Sequence, residues 1–454
     1  MQVFGSSGTR GVVGESLTPV FVCEVARAAA AVWSVDRIAL ARDTRDTGQM
    51  LANAAAAGLA SIGADVDRLG ILPTPGLQTH CDREAIPGVM ITASHNPPEY
   101  NGVKLIADDG GELSIETLER VEARLLADDT EDAAWDGTGT DRNPPDPRGR
   151  YIDAVLTAVD RDRIADADLT VALDPGHGAG ALTSPTFFRR LGCRVVTVNA
   201  QPDGHFPGRD PEPIPENLDD LGRLVHAEDA DVGIAHDGDA DRAIFFDEHG
   251  DYIEGDATLA ALAAAELESG DVTVSAVNVS QRLVDVVDAA DADLELTPIG
   301  STHILNRVRE RQAAGDRVPI AGEGNGGVIF PEYRLARDGA YTAARFCALI
   351  ADTSASAVVA PYNGYENVRV DVEYTDDTDR ETLLAAAERH ATAADATLST
   401  VDGYRLDYGD AWVLARPSGT EPVIRVYAEA ADADRAQTLA DGFVDAMATA
   451  RDRR

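Results

Sequence analysis

Lysine is almost absent from this chain: one, Lys104, stands among 454 residues, and the other fixed cations are all arginine. Cysteine is scarce as well. Cys23, Cys81, Cys193 and Cys347 lie far apart and form no Cys-x-x-Cys, which excludes a zinc ribbon and a disulfide framework and fits a reducing cytoplasm. Aromatic residues make up only 5%, but the apolar fraction of 44% is ample for burial and points to neither disorder nor a membrane protein. No uncharged apolar run reaches the ~18 residues that a spanning helix needs. The opening Met1-Gln2-Val3-Phe4-Gly5 carries no basic segment followed by an apolar stretch, so no secretory signal is expected.

What is abundant is acid. Against 39 basic residues stand 79 acidic ones, for a net charge of −40. Such a surface repels nucleic acid and anionic lipid, so neither is expected as a partner. It also points to a cytoplasm of high salt, where screening relieves the mutual repulsion of carboxylates, and to a fold that loosens in dilute buffer. In a composition that has nearly abolished lysine, Lys104 survives ten residues after Ser94, in a polar segment, and is read as functional.

The length suggests three or four domains. Three segments repeat one pattern of buried apolar strands alternating with Ala- and Leu-rich helical windows. First strands are expected at Arg37 to Asp43, Leu169 to Asp174 and Val272 to Val277; second strands at Val66 to Leu72, Cys193 to Asn199 and Leu294 to Ile299; third strands at Gly88 to Ala93, Asp231 to His236 and Val318 to Ala321. Asp136 to Arg150 reads as a linker. After Pro361 the pattern becomes that of a smaller α+β domain, with strands at Val368 to Tyr374, Ala411 to Ala415 and Val423 to Ala430, a helix over Arg380 to Ala394 and a final helix from about Ala433. The fold class expected is α/β: three related domains with mixed, mostly parallel sheets around a cleft, and a C-terminal α+β domain. The boundaries are set at 1–145, 146–251, 252–361 and 362–454.

Each third strand runs into a polar, glycine-containing or proline-stiffened sequence, and ligands of open α/β sheets bind beyond the carboxyl ends of strands. Ser94, in Thr92-Ala93-Ser94-His95-Asn96-Pro97, is a candidate nucleophile, with His95 beside it; a turn serine and a structural loop histidine are the alternatives. No Gly-x-Ser-x-Gly elbow surrounds it, which disfavours hydrolase acylation. Asp237, Asp239 and Asp241 offer three hard oxygen donors within five residues, a set that suits magnesium, although an acidic turn is the plain alternative. Arg242 follows them and can pair with a phosphate. In Gly322 to Gly327, glycines let backbone approach a ligand, and Glu323 and Asn325 offer contacts to sugar hydroxyls. Arg416, Ser418, Gly419 and Thr420, with Arg425 in the next strand, make a phosphate cradle or an ordinary turn. Arg10, in Gly5-Ser6-Ser7-Gly8-Thr9-Arg10-Gly11, sits in a loop that either closes over a phosphate or forms a flexible terminus.

Taken in order over the whole chain, Phe4 to Gly11, Thr92 to Lys104, Asp237 to Arg242, Gly322 to Gly327 and Arg416 to Arg425 resemble the motifs of the α-D-phosphohexomutase family. The resemblance implies four domains and a phosphoserine at Ser94. It implies one magnesium held by Asp237, Asp239, Asp241 and an oxygen of phospho-Ser94. Phosphoryl transfer would pass through a bisphosphorylated sugar, with a hexose bisphosphate as activator. Arg10 and Lys104 would assist at the reacting phosphate, Lys104 as general acid/base, and Arg416, Ser418, Thr420 and Arg425 would hold the other phosphate. The sequence departs from many bacterial members, which end the sugar loop in Ser-Gly-His where Asn325-Gly326-Gly327 stands here, so that histidine's role is not carried over; His303 is a weak substitute. The Asn-Gly-Gly form resembles archaeal members, which places glucosamine phosphate first among substrates, ahead of mannose and glucose phosphates. A monomer or homodimer is expected. A magnesium-dependent sugar phosphatase and a non-catalytic sugar-phosphate binder are the rivals.

Overall fold

The computed structural model describes residues 3–5, 8–418 and 421–452. Short runs rich in Val, Ile and Ala, buried on both faces, form parallel strands because helices cover both sides of the sheet. In the first unit, Arg37–Arg42 lies between Asp65–Ile71 and Gly88–Ile91, both parallel to it, and Tyr100–Ile106 folds back antiparallel onto Gly88–Ile91. The second unit repeats this with Thr170–Asp174 between Arg194–Thr197 and Val232–Ala235, and Ile244–Phe246 antiparallel beyond. The third does so with Val272–Ala276 between Asp293–Thr297 and Ala321–Glu323, then Gly327–Ile329. The expected repeat is therefore one topology used three times. In every copy the polar motif is the connection between the third strand and its antiparallel partner, so Ser94, the aspartate triad and the sugar loop occupy equivalent positions.

Two sequence expectations shift. The third unit's third strand starts at Ala321, not Val318, because Pro319 has no N–H to give a ladder. The expected linker Asp136 to Arg150 is partly structured: Asp141–Arg142 adds a parallel edge to Asp65–Ile71, and the helix Pro147–Ala158 begins inside it, with the Asp146 side chain accepting from Gly149 N.

The C-terminal unit is an all-antiparallel sheet in which Glu366–Glu373, Val423–Ala430, Ala411–Pro417, Tyr404–Asp407 and Thr397–Ser399 follow one another in space. The helices Asp377–Ala393 and Ala433–Asp452 supply Leu383, Ala387, Phe443 and Met447 to a core shared with Val413, Ile424 and Val426. Its core is its own. The second and third units instead share one core, where Val171, Phe187 and Phe245 pack with Ile320, Val328 and Phe346, the last against Phe245 at 4.3 Å between ring centres. Among the described residues no single helix is long and apolar enough to cross a membrane.

Candidate active site

Ser94 leaves the strand Gly88–Ile91 in the left-handed region, at φ 51°, a conformation costly for a non-glycine residue and kept only where surroundings impose it. The surroundings are visible. Thr92 Oγ1 accepts from Ser94 N at 2.8 Å and donates to Asp43 Oδ2 at 2.7 Å. Asp43 pairs with Arg45 at 3.1 Å, both fully buried. That guanidinium donates to four carbonyls of the loop: Ser94 and Asn96 from Nη2, at 3.0 and 2.6 Å, and Pro97 and Tyr100 from Nη1, at 2.6 and 3.0 Å. Burial pushes the Asp43 carboxyl up, and Arg45 is the main force opposing it. The second unit uses the same device. Asp174, also at the end of a first strand, binds Arg209 at 3.0 Å, and Arg209 Nη2 donates to the carbonyl of His236 at 2.6 Å, one residue before Asp237.

The two loops meet. Ser94 Oγ donates to Asp237 Oδ2 at 2.6 Å, and Gly238 lies so close to the Ser94 carbonyl that a Cβ there would come within 2.6 Å of the oxygen. Ala240, at φ 55°, turns the loop so that Asp237, Asp239 and Asp241 bring one carboxylate oxygen each within 4.8 Å of the others. All three are buried. Thr74 Oγ1 donates to Asp239 Oδ2 at 2.5 Å, and Thr74 N donates to the Asp239 carbonyl at 2.9 Å. Asp239 Oδ1 and Asp241 Oδ1 are enclosed and accept no hydrogen bond from the described residues. Leaving buried carboxylate oxygens bare costs free energy unless a cation takes them, so the donor set fits a divalent metal. Burial, with Asp239 and Asp241 adding repulsion, pushes Asp237 up to about 7 without such an ion.

Cations ring the triad. Lys104 Nζ donates to Asp239 Oδ2 at 3.1 Å and Asp241 Oδ2 at 2.8 Å. Burial works against its charge, but those two carboxylates outweigh it and raise the ammonium above its ordinary value. A lysine held charged can give a proton or neutralise a phosphate; it is a poor base. Arg337 Nη2 also reaches Asp241 Oδ2, at 2.8 Å. Burial opposes ionisation of Asp241, and Arg337, Lys104 and Arg242 together overcome it and hold its carboxyl well below the usual range. Arg242 Nη2 lies 3.1 Å from His95 Nδ1, and Arg10 Nη1 donates to Asn96 Oδ1 at 2.8 Å and lies 3.5 Å from His95 Nε2. Burial, then Arg242 and Arg10, drive the His95 imidazole far below its ordinary value, so it stays neutral between two guanidinium groups.

The sugar loop docks onto this cluster, with Ala243 N donating to the Gly326 carbonyl at 3.2 Å. Asn325 is exposed, its Oδ1 accepting from Gly327 N at 3.0 Å and its Nδ2 donating to Glu323 Oε2 at 3.4 Å. His303 is placed elsewhere: it lines a separate cavity of about 550 Å³ with Ser114, Glu116, Pro298 and Arg307. In the C-terminal unit, Arg416 and Arg425 are direct cross-strand partners. Arg416 pairs with Asp402 at 3.0 Å, and Arg425 pairs with Glu421 and stands 3.8 Å from Asp371. Ser418 Oγ accepts from Glu421 N at 3.2 Å. Gly419 and Thr420, like Ser6 and Ser7 of the N-terminal loop, lie outside the described residues.

Sequence reasoning missed Asp43, Arg45, Thr74, Arg209 and Arg337. For two of them a signal existed, since Asp43-Thr44-Arg45 follows a first strand as Asp174 does, at the loop end of the sheet. Arg337 carried none, lying ten residues beyond the sugar loop in an unremarkable polar stretch.

Four consecutive segments match the phosphoglucomutase/phosphomannomutase family: alpha/beta/alpha domain I over residues 1–132, domain II over 149–250, domain III over 254–365 and the C-terminal domain over 367–446. The chain is 38% identical over 446 residues to a phosphoglucomutase/phosphomannomutase of Thermococcus kodakarensis, covering 96% of each. It is 39% identical over 448 residues to a probable phosphoglucosamine mutase of Methanopyrus kandleri, covering 97% of each. A crystal structure of a phosphoglucomutase/phosphomannomutase family protein from Burkholderia thailandensis superposes with a TM-score of 0.85 at 26% identity, over 99% of this chain and 97% of that one.

Proposed function

This chain belongs to the phosphoglucomutase/phosphomannomutase family and is an isomerase of the phosphohexomutase class; we propose that it interconverts the 1- and 6-phosphates of a hexosamine or hexose by way of a phosphoserine at Ser94. The observation that carries this reading is the Ser94 Oγ bond to Asp237 at 2.6 Å, inside a buried triad of carboxylates ringed by Lys104, Arg10, Arg242 and Arg337.

In the forward half-reaction the bond between phosphorus and Ser94 Oγ breaks, and a bond forms to a sugar hydroxyl oxygen. Ser94 Oγ regains a proton, for which Lys104 is the candidate donor, and the proton released by the sugar hydroxyl restores the charge of Lys104, so the step gains and loses none overall. The bisphosphorylated sugar then turns end for end, and its other phosphoryl group returns to Ser94. Such transfer asks mainly for positioning and neutralisation of charge. Asp237, Asp239, Asp241 and a phosphoserine oxygen would hold one magnesium, which supplies Lewis-acid neutralisation when bound. Arg10 and Arg242, fixed on either side of a neutral His95, would grip the reacting phosphoryl group. Glu323 and Asn325 would meet sugar hydroxyls. Arg416, Ser418, Gly419, Thr420 and Arg425 would hold the phosphate that is not reacting, displacing the acids that now occupy the two guanidinium groups.

Glucosamine phosphate is the first choice of substrate, supported by the name of the Methanopyrus kandleri relative; mannose and glucose phosphates follow, supported by that of the Thermococcus kodakarensis one. The net charge of −40 supports a working environment of molar salt in the cytoplasm. The test is a panel of the 1-phosphates of glucosamine, mannose and glucose, in molar potassium chloride with magnesium and a trace of hexose bisphosphate, for wild type beside Ser94→Ala. Conversion to a 6-phosphate by wild type alone supports the reading, and the fastest substrate names the sugar. Release of inorganic phosphate without isomerisation would make the protein a phosphatase, and binding without either would make it a sugar-phosphate binder.

A further inference from the structure

The sugar loop is bare at its inner end, and a side chain from elsewhere stands there. A Cβ built on Gly327 would lie 2.8 Å from Arg337 Cδ, 2.9 Å from Asn325 Oδ1 and 3.4 Å from Arg337 Nη1. Arg337 is brought to that spot by a bridge between Ile329 and Arg337, which carries the chain back alongside the strand Gly327–Ile329. It is 4% exposed. Nη2 is spent on Asp241 Oδ2 at 2.8 Å, with Glu112 Oε1 3.7 Å away. Nε is enclosed and has no acceptor among the described residues.

Two features separate this arginine from a structural ion pair. Asp241 Oδ2 already receives Lys104 at 2.8 Å, so Arg337 brings a second positive charge to one oxygen. And a buried guanidinium N–H left without an acceptor costs free energy, which an oxygen of a ligand would recover. Resting on the phosphohexomutase reading, we infer that Arg337 takes the place of the side chain absent at position 327 and contacts the bound sugar phosphate, donating to its phosphoryl oxygens from beside the metal triad. Gly327 then makes room for Arg337, since a Cβ there presses on its Cδ as well as on Asn325 Oδ1.

The test measures affinity of the magnesium-loaded protein for glucosamine 6-phosphate by calorimetry, together with mutase turnover, magnesium half-saturation and melting temperature. The variants are Arg337→Ala, Arg337→Lys, Gly327→Ala and the double variant Gly327→Ala/Arg337→Ala. The inference expects Arg337→Ala to bind the sugar phosphate roughly ten- to a hundredfold more weakly, with Arg337→Lys in between. Magnesium half-saturation moves little, because Lys104 still holds Asp241. Gly327→Ala weakens binding in the wild-type background and does so markedly less once Arg337 is gone, the remainder coming from Asn325 Oδ1, which a Cβ there also meets. A purely structural Arg337 would instead move melting temperature and magnesium half-saturation while leaving sugar-phosphate affinity within about twofold, and that result overturns the inference, as does an undiminished Gly327→Ala effect in the Arg337→Ala background. Where wild type binds the sugar phosphate without isomerising it, the mutase reading fails, and the affinity ratios still decide the role of Arg337. Absence of sugar-phosphate binding by wild type refutes both.

Discussion

The centre of the candidate site and the outlying arginine pair proposed as a phosphate clamp are built by opposite rules. At the centre the groups are buried and over-determined. Arg45 and Arg209 each bind an aspartate at a strand end and donate to a carbonyl of the loop after a third strand, and Arg45 and Thr92 hold the loop in which Ser94 is left-handed. The clamp is half open: Arg416 and Arg425 stand opposite each other on neighbouring strands, neutralised by the local acids Asp402 and Glu421. Its domain has a core of its own and is fastened at the root instead. There Glu429, 1% exposed, accepts from Ser280 Oγ at 3.0 Å and from Trp412 Nε1 at 3.3 Å, and Arg405 stacks over Trp412 while donating to the Val277 carbonyl at 2.5 Å. The difference teaches where the free energy goes. On the proposed function, the group that reacts is prepaid with buried charge pairs, and the group that releases one phosphate and accepts another is left with weak, replaceable partners.

The comparison can be broken at its strongest point first. Ser94→Ala should lower mutase turnover by at least about 10⁴-fold with an unchanged melting temperature, measured by the coupled assay and calorimetry. Next, Arg45→Ala leaves the buried Asp43 without its counter-charge, with only Thr92 Oγ1 and a backbone N–H still donating to it, and should cost about 3–5 kcal/mol of stability, read from denaturant unfolding in molar salt. A loss below about 1 kcal/mol would show that the centre is not prepaid in this way. At the clamp, Arg425→Ala should raise KM for the sugar phosphate by roughly ten- to a hundredfold, the worth of one charge-assisted contact. It should leave phosphorylation of Ser94 by a bisphosphate nearly intact and leave stability within about 0.5 kcal/mol.

The smallest effect concerns the shared body of the second and third units. Glu248 accepts from Ser356 N at 3.0 Å and Ser356 Oγ at 2.5 Å; burial raises its pKa, but these bonds outweigh it and hold the carboxyl at about 2. Because the folded value lies below the ordinary 4.5, its contribution is fully present above that pH. It is lost as pH falls from there toward 2. Glu248→Gln should cost about 1 kcal/mol near neutral pH and next to nothing at pH 2, measured by unfolding at both.

How much of this was legible in the sequence depends on whether the signal is local. The thrice-repeated strand pattern, the aspartate triad and Ser94 are short, contiguous runs, and the structure sets them in equivalent hairpins. The lone lysine could be singled out because the rest of the composition lacks it, and it does lie against the triad. Strand starts moved where a single Pro319 lacks a donor. The supports of the site were illegible: Arg45 acts on residues some fifty positions away, and Arg337 reaches Asp241 across 96 residues. Nothing in a linear pattern tells a buried arginine of this kind from one on the surface. The bare glycine at position 327 was readable as an absence, and only the packing shows which side chain stands there.

The most direct test of the central claim is intact-protein and peptide mass spectrometry of wild type after incubation with a hexose bisphosphate and magnesium in molar potassium chloride. The account predicts one added phosphoryl group, located on the peptide that carries Ser94, chased off by excess sugar monophosphate with formation of the sugar bisphosphate, and absent in Ser94→Ala. A phosphoryl group on any other residue, or one that leaves only as inorganic phosphate, would contradict it.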